Sequence, residues 1–166
     1  MVSLTVCAFE GADSGSGAGF SLVSRVKGMD FAAGGDAAAK LKRVLGQIGM
    51  APEVVRRAAI AAYEAEMNIV IHAREGTLTA HITSDGVEIV AADAGPGIPD
   101  LSLAMQEGYT TAPPHIQEMG FGAGMGLPNI RNCADEFEIE SEVGQGTRVR
   151  IVINQIEPKG PDQAHD

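Results

Sequence analysis

Apolar and polar positions alternate in five stretches of the chain and recur at helical spacing in several others. Phe20 to Lys27 alternates weakly and reads as a strand. Thr77 to Thr83 alternates cleanly, with Leu78, Ala80 and Ile82 on one side and Thr77, Thr79, His81 and Thr83 on the other. Asp85-Gly86 then signals a hairpin turn, and Val87 to Asp93 is the return strand. With Asp85 and Gly86 as the two loop residues, Ile82 faces Ile89 and Ala80 faces Ala91. Parity then puts Asp93 on the buried face, where a carboxylate is costly without a donor. We read it as awaiting that donor from a ligand; the alternative is a backbone N–H of the following turn.

A second hairpin sets Phe137 and Ile139 against Glu136, Glu138, Glu140 and Glu142, then Val149, Ile151 and Ile153 against Arg148 and Arg150. A turn centred on Gln145 places Arg148 opposite Glu142 and Arg150 opposite Glu140. Such pairs contribute about 0.2–1 kcal/mol each, so these charges read as structural.

Between the hairpins the period becomes helical. Asp36 is a candidate N-cap for a helix over Ala37–Ile48, with Leu41, Val44, Leu45 and Ile48 on one face. Pro52 and Glu53 open a longer helix to about Ala73, since proline fits a first turn and a carboxylate there complements the dipole. Asp100 can cap a short helix over Leu101–Glu107. Gly108 to Gly120, with Pro113 and Pro114, reads as a proline-broken loop of lid length. A last helix is expected over Gly126–Cys133. Hairpins with one apolar face and helices grouped between them predict an α+β fold: a two-layer sandwich of a mixed, mainly antiparallel sheet with helices on one face. Residues 1–19, with a short strand at Ser3–Val6 and a Gly/Ser-rich run, read as a flexible N-terminal segment. Residues 20–154 form the domain, and 155–166 a disordered tail. There is no internal repeat.

Composition narrows the class. The chain has 166 residues, enough for one domain with a proper core. Aromatics are only 4% and tryptophan is absent, so the core must rest on Ala, Val, Ile and Leu. A net charge of −10 argues against a nucleic-acid partner, which needs a basic face. Cys7 and Cys133 make no C-x-x-C and suit a reducing compartment. No apolar run approaches the ~18 residues of a membrane span and no leader pattern precedes the domain, so a cytoplasmic protein is expected.

Glycine placement changes the picture most. Seven of the chain's 21 glycines lie between Asp93 and Leu127: two in D-A-G-P-G-I-P-D, four in G-F-G-A-G-M-G-L, and Gly108 between the runs. The second cluster feeds the predicted helix at Gly126, and a glycine-rich loop entering a helix N-terminus offers free N–H groups to an anion, usually a phosphate. Two such clusters, after an aspartate that ends a strand, point to a nucleotide site rather than a surface loop. On the long helix, Glu64, Asn68 and His72 fall at i, i+4 and i+8, on one side. Asn68 offers an oxygen to Mg²⁺, and Glu64 is placed to take a proton from an attacking hydroxyl or water. His72 reads as structural, and Glu66 points away.

Together these residues are specific. E-x-x-x-N on a helix (Glu64, Asn68), D-x-G-x-G (Asp93, Gly95, Gly97), G-x-G-x-G (Gly122, Gly124, Gly126) and G-x-G-T (Gly144, Gly146, Thr147) resemble, in order, the motifs of the GHKL ATPase superfamily. The wording from Phe20 to Asn154 is similar to the bacterial anti-sigma-factor serine/threonine kinases, above all the stressosome switch kinases. The resemblance implies a Bergerat-type ATP-binding fold and the cofactors ATP and Mg²⁺. It implies that Asp93 accepts from the adenine amino group, that Gly97 shapes that pocket, that Gly95 and Ile98 belong to the ATP site, and that Thr147 joins Asp93 through a water. Asn68 would hold Mg²⁺; Gly122, Gly124 and Gly126 would wrap the triphosphate under the lid, with Leu127 also in the ATP site; Glu64 would be the general base. The implied substrate is a serine or threonine on a STAS-type anti-anti-sigma partner, with a sigma factor or a downstream phosphatase as further partners and a homodimer as an assembly. The lid and the Gly/Ser segment depart from the switch-kinase pattern. The competing function is a nucleotide-gated binding module, an anti-sigma factor without phosphotransfer. A histidine kinase would need a helical dimerisation domain, and a gyrase-type ATPase a transducer domain.

Overall fold

The computed structural model describes residues 18–155. The expected N-terminal strand at Ser3–Val6, most of the Gly/Ser run and the tail beyond Gln155 lie outside them. The chain runs β1 (Phe20–Lys27), α1 (Asp36–Gln47), α2 (Pro52–His72), β2 (Glu75–Thr83), β3 (Gly86–Asp93), α3 (Leu101–Ala104), α4 (Pro114–Glu118), α5 (Gly126–Cys133), β4 (Glu136–Glu142) and β5 (Gly146–Asn154). The strands form one sheet in the order β1-β2-β3-β5-β4. All four ladders are antiparallel, which makes the sheet more regular than a mixed one.

One face of the sheet is apolar. Leu22, Leu78, Ala80, Ile82, Val87, Ile89, Ala91, Val149, Ile151 and Ile153 are buried there. Against them lies α2, which touches β1, β2, β3 and β5 and is flanked by α1 and α5. Its inner surface is Val54, Ala58, Ala61, Ala62, Ala65, Ile69 and Val70. Four alanines in that list let neighbouring backbones approach closely. No aromatic side chain is fully buried among the described residues, in line with the composition.

Both hairpins keep their expected faces but shift their register by two residues. Ile82 pairs with Val87, Ala80 with Ile89 and Leu78 with Ala91, so Ser84 and Asp85 form the loop. Gly86 belongs to the strand, at φ 147, where a Cβ would strike the Ile153 carbonyl of β5. Its glycine serves close strand approach rather than the turn. In the second hairpin Glu142 pairs with Gly146, so the turn centres on Gly144, at φ 81, rather than on Gln145. Arg150 therefore lies opposite Glu138 and Arg148 opposite Glu140. Because side chains alternate with a period of two, a two-residue shift leaves every residue on its predicted face.

Four helical details differ from expectation. The N-cap of α1 is Gly35 at φ 98, and Asp36 makes no side-chain cap. Ile48 is 49% exposed, so the apolar stripe of α1 ends at Leu45. The lid segment is not free of helix: Pro114 stands in the first turn of α4, where its missing N–H costs nothing, and Ile116 is buried. Asp100 does cap α3, accepting from the Leu103 N–H at 3.0 Å, but α3 stops at Ala104.

Candidate functional site

A cavity of about 470 Å³ opens between α2, the loop after β3, the segment from Tyr109 to Met125 and the start of α5. That volume lies within the range of small-ligand sites. Glu64, Asn68, Asp93, Gly97, Ile98, Gly122, Gly124, Gly126, Leu127 and Thr147 all line it. Gly95 does not; it acts on Asp93 from behind. The cavity wall also includes Asp100 and His72 but, among the described residues, no lysine or arginine.

One end of the cavity is organised by Asp93. Its Oδ1 accepts the Gly95 N–H at 2.8 Å and the Thr147 N–H at 3.3 Å. The carboxylate is thus anchored by backbone donors, including the turn donor that was the alternative to a ligand. None of the hydrogen bonds among the described residues reaches its Oδ2, so one oxygen stays available toward the cavity. The following loop is docked onto the second hairpin: the Gly144 N–H donates to the Pro96 carbonyl at 2.8 Å, and the Ile98 N–H to Ser141 Oγ at 2.7 Å. Gly97, at φ 74, lies so near the Glu142 carbonyl that a Cβ would collide with it. Ser141 Oγ also bonds Thr147 Oγ1 at 2.8 Å. Thr147 therefore meets Asp93 directly through its main chain, while its hydroxyl is engaged by Ser141. Sequence reading missed Ser141; its only signal was a short hydroxyl residue on the apolar side of β4.

His72 sits near Asp93, and its pKa is shifted below the usual 6.5, since partial desolvation outweighs the attraction of Asp93. The residue itself is exposed.

The other end is built by glycines. Gly120, Gly122 and Gly124 have φ of 91, 69 and 78, a backbone that L side chains rarely adopt. At Gly124 a Cβ would lie 2.6 Å from the Tyr109 carbonyl oxygen, and the Gly108 N–H donates to the Gly124 carbonyl at 2.9 Å. The segment that begins at Gly108 is thereby fastened to the glycine run. Gly126 starts α5 against α2: a Cβ there would lie 3.1 Å from Asn68 Oδ1 and 3.4 Å from Glu64 Oε2. Asn129, one turn into α5, donates from Nδ2 to Glu64 Oε1 at 3.2 Å. The first N–H groups of α5 thus open beside a carboxylate and an amide oxygen.

Glu66 is the second residue that sequence reading passed over. It is 2% exposed, and its two oxygens accept the N–H groups of Ala37 at 3.2 Å and Ala38 at 3.0 Å. It caps α1 from α2, in place of the expected Asp36. Its signal was its place on the side of α2 that faces the rest of the protein, where a charge needs partners.

This combination of an antiparallel sheet under helices, an aspartate at a strand end and a glycine run entering a helix defines an ATPase-type nucleotide domain. Residues 32–153 match the histidine kinase-like ATPase domain, and the chain belongs to that family. It is 32% identical over 115 residues to the serine/threonine-protein kinase RsbT of Bacillus subtilis (strain 168), covering 67% of this chain and 80% of that protein. It is 39% identical over 93 residues to the anti-sigma F factor of Caldanaerobacter subterraneus subsp. tengcongensis, covering 53% of this chain and 62% of that one. In fold it resembles the crystal structure of the RsbU and RsbW domains of Rv1364c from Mycobacterium tuberculosis, with a TM-score of 0.55, 17% identity, and coverage of 82% of this chain and 33% of that one. No helix among the described residues is long and apolar enough to cross a membrane.

Proposed function

We propose that residues 20–154 form a Mg-ATP-dependent protein serine/threonine kinase of the switch type. Its substrate is a STAS-type anti-anti-sigma protein, and its action controls sigma-factor or stress signalling in the cytoplasm by partner switching. The observation that carries this reading is the placement of Glu64 and Asn68 beside Gly126, where the glycine run enters α5. In this reading Asp93 Oδ2 accepts from the adenine amino group, and Gly97 and Ile98 border the base. Gly122, Gly124, Gly126 and Leu127 leave backbone N–H groups to the triphosphate.

The donor set fits magnesium. A triphosphate in a cavity whose charged lining is acidic, with no lysine or arginine among the described residues, needs a cation, and Asn68 Oδ1 is the oxygen that would hold it with the phosphates. Mg²⁺ supplies neutralisation of the phosphate charge when bound. The chain's own residues do the rest. The seryl or threonyl oxygen of the partner bonds to the γ-phosphorus, the bond from phosphorus to the β,γ-bridging oxygen breaks, and ADP leaves with that electron pair. The hydroxyl proton passes to Glu64 Oε2.

The test is Glu64→Gln, assayed with the partner STAS-domain protein. Affinity for Mg-ATP should stay within a few-fold of wild type, and phosphotransfer should fall by ~10²–10⁴-fold. A second reading, a nucleotide-gated anti-sigma module without phosphotransfer, draws on the likeness to the anti-sigma F factor. It takes over if wild-type protein saturated with Mg-ATP binds its partner but transfers no phosphate.

A further inference from the structure

Glu64 reaches the cavity from the third and fourth turns of α2, and a glutamate has three rotatable bonds. A free carboxylate at this place has a nearby competitor for its attention. The opening N–H groups of α5 carry the positive end of the helix dipole, and Glu64 Oε2 lies 3.4 Å from the Cβ position of Gly126. A carboxylate that swung onto those N–H groups would occupy the anion site and lose its view of an incoming hydroxyl.

One side chain fixes the carboxylate in place instead. Asn129 Nδ2 donates to Glu64 Oε1 at 3.2 Å. Asn129 is half-buried, its backbone N–H makes the first helical bond, to the Met125 carbonyl at 2.9 Å, and no side chain caps α5, so its amide is not spent on the helix end. It stands on the first turn of α5, the helix whose start faces the glycine run. An amide is the suitable donor here. It carries no charge to compete with phosphate, and it does not titrate, so it cannot take the proton meant for the carboxylate. With Oε1 tied, Oε2 is the oxygen left to act.

We propose that Asn129 is the positioning residue of this kinase: its amide fixes Glu64 Oε1 beside the first turn of α5, with Oε2 presented to the substrate hydroxyl. The proposal rests on the kinase reading of the same site and adds to it a residue outside the recurring E-x-x-x-N, D-x-G-x-G and G-x-G-x-G motifs.

The experiment uses the full chain, Mg-ATP and the purified STAS-domain partner, with kcat and KM measured separately. Asn129→Ala should lower kcat by roughly 10- to 100-fold, the usual cost of a misplaced reacting group, while KM for Mg-ATP changes by only a few-fold. Asn129→Asp separates positioning from structure. An aspartate in the first turn is favourable for the helix, so thermal stability should hold. It cannot donate when ionised and repels Glu64, so kcat should fall at least as far as in Asn129→Ala. The acid limb of its pH–rate profile should move upward, because two adjoining carboxylates share a proton. In a Glu64→Gln background, Asn129→Ala should add little further loss, since both act at one point. Wild-type kcat in Asn129→Ala and Asn129→Asp, with Glu64→Gln still impaired, overturns the proposal alone. Fully additive losses in the double variant do the same. Absence of phosphotransfer by the wild-type protein overturns the kinase reading instead.

Discussion

Phe31, in the loop before α1, packs against Phe121 in the glycine run, with ring centroids 5.0 Å apart and planes tilted by 35°. This pair ties the glycine run to the part of the chain that leads into α1. An aromatic contact of this kind contributes about 0.5–1.5 kcal/mol beyond burial. Phe121→Ala should therefore loosen residues 108–120 in the nucleotide-free protein. Hydrogen exchange should show faster exchange across α4 in the variant, and a gain in protection there when a non-hydrolysable ATP analogue is added. Equal exchange with and without the analogue in wild type would argue against a lid.

Asp93 carries two loads, and substitutions can separate them. Asp93→Ala should weaken ATP binding by ~1–3 kcal/mol and also lower thermal stability, because the Gly95 and Thr147 N–H groups lose their acceptor. Asp93→Asn retains an acceptor oxygen for those donors, so it should keep most of the stability. Calorimetric titration with ATP, set beside melting curves of the three proteins, checks both parts. Unchanged ATP affinity in Asp93→Ala would remove the adenine role.

Glu66 is a stability residue with no role in the cavity. Glu66→Ala strips the acceptors from two N–H groups at the start of α1 and leaves a void beneath it. The expected loss is about 2–4 kcal/mol, read from urea denaturation. Glu66→Gln keeps one acceptor and should lose less. Affinity for ATP in folded protein should be the same in all three.

Asp135 makes stability depend on acid. Burial alone would raise its pKa, but the Asn154 N–H at 2.7 Å and Arg57 at 3.0 Å outweigh this and hold it below the usual 3.8. Arg57 also donates to the Cys133 carbonyl at 2.8 Å, so the pair fastens α2 to the end of α5 and to β5. Between the two pKa values the unfolded chain binds more protons than the native one, so stability rises with pH there. The contribution is whole above the unfolded pKa and is lost as pH falls through the folded one. Solvent screening at this partly exposed site keeps it below ~1 kcal/mol. Urea denaturation of wild type and Asp135→Asn should show a gap at pH 7 that narrows toward pH 3.

Local pattern determined a great deal of this protein. Strand faces, the extent of α2 and α5, the Asp100 cap and the residues that meet in the cavity were legible because each depends on period, on turn chemistry or on glycine spacing. What the sequence left open concerns partners distant in the chain. Both hairpins slipped by two residues because Gly86 and Gly146 were needed where strands crowd, against Ile153 and Asp93, and no local rule sees that crowding. Parity survived the slip, so the faces did too. Glu66 and Asn129 looked like ordinary polar positions of two helices. Their roles arise only when α2 lies against the start of α1 and the start of α5, bringing a carboxylate to orphan N–H groups and an amide to Glu64. Backbone donors and helix ends acquire side-chain partners through packing, and packing is decided by the whole core at once.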